Sequence, residues 1–315
     1  MSKKIYPAIS PYPGAKAGYV GEVIAGILPT EKDGIIKYYD VFGGMANIIL
    51  HKAPHLEEYY NDLNKKLTTL MLVLSDEELS KQLFERMVDT IPYYSQSGFD
   101  YAQFASNHML DPESEFMQEY AYNHELDIVE KAAAVWRTLL MSFNGSMHHF
   151  TGIREVTEDG IEFEVKADHI KGNEVLVLQE QIQKKAIIPQ RLKNVKILNE
   201  SAFDLIPKVK NDDTALMVCD SPYTLQQRKG KKIYECDFTD EQQETYARLV
   251  YDSRAKVLVC GYNNEIYNGI LLKPGGPCKW YKYKIADVAK TMSRSPIGKS
   301  KSRETEVIWT NWEIK

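Results

Sequence analysis

The chain has 315 residues, 43% hydrophobic and 26% charged, with a formal net charge of -5. Those proportions exclude a disordered polymer and are enough for two domains with sizeable cores. No run approaches the roughly eighteen uninterrupted apolar residues of a membrane span, and residues 1–7 lack the apolar core of a signal peptide, so a cytoplasmic protein without a membrane partner is expected.

Val20, Val23, Ile24, Ile27 and Leu28 recur at helical spacing, which predicts a helix over 18–28 stopped by Pro29. Residues 38–42 read as a strand, Gly43-Gly44 as its turn and 45–52 as a helix. A second strand over 57–61 ends at Asp62, and a helix with Leu67, Leu70, Met71 and Leu74 inward follows. This β-turn-α-β-α series marks a parallel nucleotide-binding sheet. From about 75 to 190 the pattern changes to acidic helical segments, then 136–141, then a hairpin. Its tight turn is Asp159-Gly160, between strands over 153–156 and 161–165. That stretch reads as an inserted domain. Strands resume at 195–198, 215–219 and 256–260, and 280–284 with 306–309 is expected to form a closing antiparallel pair.

The acidic balance weighs against a nucleic-acid partner, because Lys and Arg neutralising phosphates supply most non-specific affinity. Its distribution reverses that argument. Residues 76–130 hold thirteen acids against Lys81 and Arg86, whereas 273–303 hold seven Lys and two Arg against Asp287 alone. A second basic run, Arg228-Lys229-Gly230-Lys231-Lys232, begins five residues past Tyr223. One charged run is ordinarily a solvated face; two beside one candidate site make a binding face on an acidic protein. The four cysteines, Cys219, Cys236, Cys260 and Cys278, lack CxxC spacing, and Cys219 and Cys260 fall in apolar strand patterns as buried thiols. No metal is expected: adjacent His148 and His149 point apart, and Asp237 and Asp240 flank a helix start at Phe238-Thr239.

The chemistry concentrates at strand ends. Asp220-Ser221-Pro222-Tyr223 follows the apolar run 215–219. It sets an acid, a proline-restricted backbone and an aromatic ring where open α/β sheets bind ligands. The combination suits methylation of an amino group on a nucleobase. In Phe42-Gly43-Gly44-Met45-Ala46 the glycines let a ligand approach the backbone, and the helix start offers N–H groups. Asp62, an acid ending the next strand about twenty residues on, is placed to grip a ribose hydroxyl pair, with a helix N-cap as the plain alternative. Upstream, Tyr12-Pro13-Gly14-Ala15-Lys16 offers a tight turn and a lysine within reach of a carboxylate; alone, the pentapeptide reads as a random turn. Together the three motifs match S-adenosylmethionine, which carries a carboxylate, a ribose and a sulfonium in one extended molecule.

In this order the motifs resemble the Dam-like N6-adenine DNA methyltransferases of the alpha group. The family's succession is a YPGGK-like segment, an FxGxG loop, an acid after the second strand, a target-recognition insertion and a DPPY tetrad. Ser142-Phe143-Asn144-Gly145 is similar to its SFNG segment, Phe238-Thr239 to its FT segment, and residues 303–312 to its closing pattern. The resemblance implies an α/β fold, a Rossmann-like seven-stranded methyltransferase sheet with an inserted, mainly helical target-recognition domain. Residues 1–74 and 191–315 would be catalytic, and 75–190, with the β-hairpin, would read the target. It further implies methyl transfer from S-adenosylmethionine to N6 of a flipped adenine in double-stranded DNA, leaving S-adenosylhomocysteine, with no metal.

By position, Tyr12, Gly14 and Lys16 would line the methionine end of the donor, Phe42 and Gly44 would pack against it, and Asp62 would bind its ribose. Phe203 and Asp204 would lie beside its adenine, with Asp220 also in the donor's site. Asp220, Ser221, Pro222 and Tyr223 would hold the target base. DNA contacts are expected from Asn144, Arg154, Arg228, Lys229, Lys231, Lys232, Lys299, Lys301 and Arg303. Two positions depart from the family pattern: Ser221 replaces its first proline and Ala46 its second glycine. Ser221 keeps the carbonyl that the chemistry uses, and Ala46 is expected to have helical angles. A catalytically impaired DNA-binding protein, and a methyltransferase acting on cytosine N4 or RNA, stand as alternatives. Oligomeric state stays open, a monomer included, as does a cognate restriction endonuclease; the setting is a bacterial, archaeal or phage-infected cell.

Overall fold

A computed structural model of the chain describes residues 6–90, 127–141, 156–157, 160–161, 182–223, 238–289 and 303–314. Along the chain run α1 (Tyr19–Ile27), β1 (Lys37–Asp40), α2 (Asn47–His51), β2 (Glu57–Asn61), α3 (Lys65–Ser75), α4 (Glu77–Thr90) and α5 (Ile128–Met141). Then come β3 (Val156–Thr157), β4 (Gly160–Ile161), α6 (Ile188–Leu192), β5 (Val195–Leu198), α7 (Ala202–Val209) and β6 (Ala215–Cys219). The last elements are α8 (Asp240–Tyr251), β7 (Lys256–Tyr262), α9 (Glu265–Leu271), β8 (Tyr281–Ala289) and β9 (Arg303–Thr310). Contacts divide the chain into two compact units, one of Met1–Pro13 with Thr69–Lys193 and one of Gly14–Thr68 with Asn194–Lys315.

The second unit is built on a seven-stranded sheet in the order β5-β2-β1-β6-β7-β9-β8. β1 pairs in parallel with β2 and β6, β2 with β5, and β6 with β7. β9 enters antiparallel between β7 and β8, so the expected closing pair forms with its second member inside and its first at the edge. The chain walks outward through β1, β2 and β5 and returns to β6, which makes the β1/β6 boundary the switch point. Ligands of open α/β sheets lie outside the carboxyl ends of the strands there. Asp40 ends β1 opposite Val218 of β6, and Asp220 follows β6 directly.

Helical stripes explain how the sheet is covered. α7 buries Leu205, Ile206 and Val209, α8 buries Tyr246, Ala247 and Val250, and α9 buries Tyr267, Ile270 and Leu271. These join Met217, Cys219, Val257, Val259 and Trp309 in one apolar cluster. Each large apolar side chain so buried contributes about 1.5–3 kcal/mol. Cys219 and Cys260 are free, buried thiols, as their strand patterns predict, and Leu67, Leu70, Met71 and Leu74 are all fully buried.

Within the first unit, the Trp136 ring of α5 meets Phe84 of α4 edge-on at 5.4 Å, and its Nε1 donates to the Ile9 carbonyl at 3.1 Å. The hairpin forms between the expected segments, with a difference at its turn. Val156 pairs with Ile161 and Thr157 with Gly160, so Gly160 belongs to the second strand rather than the turn. No helix among the described residues is long and apolar enough to cross a membrane. Ser142–Gly145, His148, His149, Arg154, Arg228, Lys229, Lys231, Lys232, Cys236, Asp237, Lys299 and Lys301 lie outside the described residues. Arg303 opens β9, in register with Ala289.

Candidate active site

The loop after β1 is tied down from the neighbouring strand ends. Val41 N donates to Val218 O at 2.9 Å, and Gly43 N donates to Asn61 O at 2.8 Å. Asn61 Nδ2 also donates to Val41 O and Glu200 O, joining the ends of β1, β2 and β5. Gly43 lies against the Tyr60 ring so closely that a Cβ there would sit 2.2 Å from Cε2, while the Tyr60 hydroxyl donates to Gly44 O at 2.8 Å. Asp62 accepts from Gly44 N at 2.9 Å through one oxygen and from Asn64 N at 2.8 Å through the other. It is therefore not the cap of α3; Asn64 holds that place, accepting from Lys66 N. Burial pushes the Asp62 carboxyl up, against the pull of those two amides.

Ala46 departs from expectation. Its angles are φ 53° and ψ 25°, left-handed rather than helical. Ala46 N bonds Gly43 O at 2.7 Å while Leu50 N bonds Ala46 O at 3.0 Å, so the residue caps α2 from outside its helical turns. A Cβ in this region costs about 1–2 kcal/mol. The tight loop dictates the angle, and local helix preference yields to it.

Lys16 is brought to Asp220 by close packing beneath it. A Cβ on Gly21 of α1 would stand 1.9 Å from the Lys16 carbonyl, so glycine is what lets that backbone approach the helix. The buried Lys16 ammonium donates to Asp220 Oδ1 at 2.7 Å and Oδ2 at 2.8 Å, to the Tyr223 hydroxyl at 2.8 Å and to Gly14 O at 3.1 Å. Tyr223 donates in turn to Glu306, whose carboxylate lies 3.4 Å from Lys16 Nζ. Burial disfavours the lysine's charge, but Asp220 and Glu306 together hold its pKa above the ordinary value. Burial pushes Asp220 up to about 6; Glu306 adds to the rise and Lys16 opposes it. Asp220 is thus ionised at neutral pH with both oxygens aimed at a cation. Burial, then the two carboxylates, keep the Tyr223 phenol protonated. The Tyr223 ring packs edge-on against Tyr262 at 4.6 Å.

The other half of the tetrad is fixed from α8 and α9. Ser221 Oγ lies 3.0 Å from the Tyr267 hydroxyl, which donates to Gln243 Oε1. Gln243 Nε2 donates to Pro222 O at 2.6 Å, closing a ring of bonds around the Ser221-Pro222 peptide. Ser221 is 2%, Tyr267 3% and Gln243 0% exposed. α8 begins where Phe238-Thr239 predicts: the Thr239 side chain accepts from Gln242 N and the Gln242 side chain accepts from Thr239 N, a capping box. That start sets the helical phase that points Gln243 inward.

Two features fit the S-adenosylmethionine expected from sequence. Asp40, Asp62 and Asp220 crowd the strand ends; burial, then Asp220 and Asp62, push Asp40 up to about 8, a mutual repulsion that a bound cation would relieve. Beside them Phe42 meets Phe238 at 5.8 Å, and Phe238 meets Phe203 at 5.2 Å, an aromatic wall suited to a flat ring. Phe203 and the exposed Asp204 occupy the first turn of α7, capped by Ser201. Gly14 takes a φ of 71° in the turn before Lys16. Tyr12, half-buried, belongs to the first compact unit. Among the described residues no three His, Cys, Asp or Glu gather as a metal site.

The structure thus joins Lys16, Asp220, Ser221, Pro222 and Tyr223, and groups Phe42, Gly44 and Asp62 at the adjoining loop. Sequence reasoning left Asp40, Glu306, Gln243 and Tyr267 out of the site. Gln243 had a signal, a polar residue in phase with Tyr246, Ala247 and Val250 on the buried stripe of α8. No curated protein matches the chain. The family model for D12 class N6 adenine-specific DNA methyltransferases matches residues 12–285.

Proposed function

The chain belongs to the D12 class N6 adenine-specific DNA methyltransferases, and from that premise we propose how its own residues divide the work. The family's reaction is methylation of adenine in DNA, and membership implies S-adenosylmethionine as the donor. When bound, the donor supplies an electrophilic methyl group on its sulfonium. Asp220 and the Ser221 carbonyl each accept one N–H of the adenine amine. The amine's lone pair is delocalised into the purine, and two acceptors make the nitrogen more electron-rich and pyramidal as the new bond forms. Tyr223 stacks on the base and opposes its rotation. In-line positioning then carries most of the rate, and the departing proton passes to Asp220 or to water.

The observation that carries this reading is the state of Asp220, a partly buried carboxylate just past β6 that lies 2.7 Å from Lys16 Nζ and is ionised above a pKa of about 6. Lys16 keeps the acid charged in the free protein and occupies both oxygens until the amine arrives. Asp62 anchors the glycine loop and presents its remaining lone pairs to the ribose, while Phe42, Phe203 and Asp204 border the donor's adenine and Gly44 lets the donor approach the backbone. Flipping the base costs about a few kcal/mol. Phosphate contacts from Arg228, Lys229, Lys231 and Lys232 offset that cost, with Asn144, Arg154, Lys299, Lys301 and Arg303 as further DNA contacts. Residues 75–190 are assigned the reading of the target.

The test is transfer of labelled methyl groups from S-adenosylmethionine to unmethylated genomic DNA, followed by nuclease digestion and chromatography. Label in N6-methyladenine is expected. Label in cytosine, or DNA binding without any transfer, contradicts the assignment.

A further inference from the structure

We propose that Tyr267 and Gln243 are positioning residues for the Ser221 carbonyl that accepts the amine N–H, replacing by hydrogen bonds the rigidity that a proline at position 221 would give. The inference rests on the reading that the Ser221 carbonyl accepts the amine. That carbonyl belongs to the 221–222 peptide, and both flanks of the peptide are tethered. On one side Ser221 Oγ meets the Tyr267 hydroxyl at 3.0 Å; on the other the Pro222 carbonyl accepts from Gln243 Nε2 at 2.6 Å. The bonds have one consistent direction. The single Tyr267 proton goes to Gln243 Oε1, so Ser221 donates to Tyr267, and the Gln243 amide spends its oxygen on Tyr267 and a proton on Pro222.

The anchors of this ring are themselves fixed. Tyr267 packs edge-on against Trp309 at 5.3 Å and lies 6.0 Å from Tyr246, and its amide donates to the Asn264 cap of α9 at 2.8 Å. Gln243 is held in phase by the Thr239 capping box. Ser221, Tyr267 and Gln243 are buried, so removing one side chain leaves the others unsatisfied rather than rehydrated. Pro222 already restricts Ser221 to extended angles; the ring adds the constraint on the serine side chain and on the next carbonyl that fixes the acceptor.

The experiment compares the parent with Tyr267→Phe, Ser221→Pro and the double variant. It reads labelled-methyl transfer at saturating DNA and donor, donor affinity by calorimetry, and the thermal midpoint. Tyr267→Phe is expected to lower kcat about tenfold, with the KM for DNA and the donor Kd within about twofold of the parent. The double variant recovers most of what Tyr267→Phe loses, because a proline has no hydroxyl to satisfy. A tyrosine that only filled the core would lower the midpoint and be indifferent to residue 221. Parent-level kcat in Tyr267→Phe, or a loss that Ser221→Pro does not relieve, overturns the proposal. If Tyr267→Phe has no cooperative unfolding transition, Ser221→Ala decides instead: kcat below both the parent and Ser221→Pro supports the ring, and kcat equal to the parent overturns it. A parent that transfers no label to adenine refutes the proposed function instead, so the two failures are distinct.

Discussion

Replacing Lys16 with methionine removes the cation that keeps Asp220 charged while preserving most of the buried side-chain volume. In the parent, burial and Glu306 push Asp220 up and Lys16 pulls it down, leaving it at about 6. An opposite charge at this distance is worth about 1–3 pKa units, so the variant's Asp220 should titrate between roughly 7 and 9. The ionised form is the acceptor, so activity rises with pH through that value and the acid limb moves to higher pH. At about pH 7.5 the ionised fraction falls from roughly 97% to between roughly 76% and 3%, which lowers kcat/KM by about 1.3-fold to 30-fold. Activity returns as the pH approaches about 10. The assay is the pH profile of kcat/KM, which reports the free enzyme, with donor affinity measured in parallel. Removing one partner of a buried pair also destabilises the fold, here by about 3 kcal/mol because Asp220 is 18% exposed. A Lys16→Met variant whose acid limb coincides with the parent's would refute the electrostatic role.

Other perturbations test the surroundings. Asp40 is pushed from 3.8 to about 8 by burial, then Asp220 and Asp62, so the fold holds a proton that the unfolded chain releases. The associated stability is fully present below 3.8 and is lost as the pH rises through about 8. Asp40→Asn should melt progressively higher than the parent as the pH is raised across that window; parallel melting curves would remove the argument. Gly43→Ala forces a methyl to within 2.2 Å of Tyr60, and calorimetry should record a loss of about 1–3 kcal/mol. Lys52 and Glu58 form a buried ion pair, with Lys52 also 2.8 Å from His55 Nδ1 and 4.0 Å over the Tyr38 ring. Lys52→Met should cost about 3–5 kcal/mol by chemical denaturation, and adding Glu58→Leu should restore much of it; a double variant as unstable as the single one would contradict this.

What the sequence revealed follows from locality. Strand ends and glycine loops are written in consecutive residues, so Asp220 to Tyr223, Phe42 to Ala46 and the seven strands were readable from patterning. Glu306 was not. It opens the apolar run Glu306-Val307-Ile308-Trp309 and reaches Tyr223 and Lys16 only because β9 is inserted beside β7. No periodicity encodes a pairing between residues so far apart. Gln243 was visible as a polar intrusion into a buried stripe, but its partner Tyr267 sits on another helix. Ala46 was misread because alanine favours the right-handed helix locally, whereas Gly43 O and the start of α2 impose the opposite sign of φ. Ser221, a departure from the family pattern on paper, proves to have its hydroxyl bonded to Tyr267.

The most direct measurement concerns Asp220 itself. Asp220→Ala should lower labelled-methyl transfer to adenine by at least about a hundredfold while calorimetry records donor affinity within about threefold of the parent. Transfer at the parent's rate would contradict the account, because the carboxylate would then not be what holds the amine.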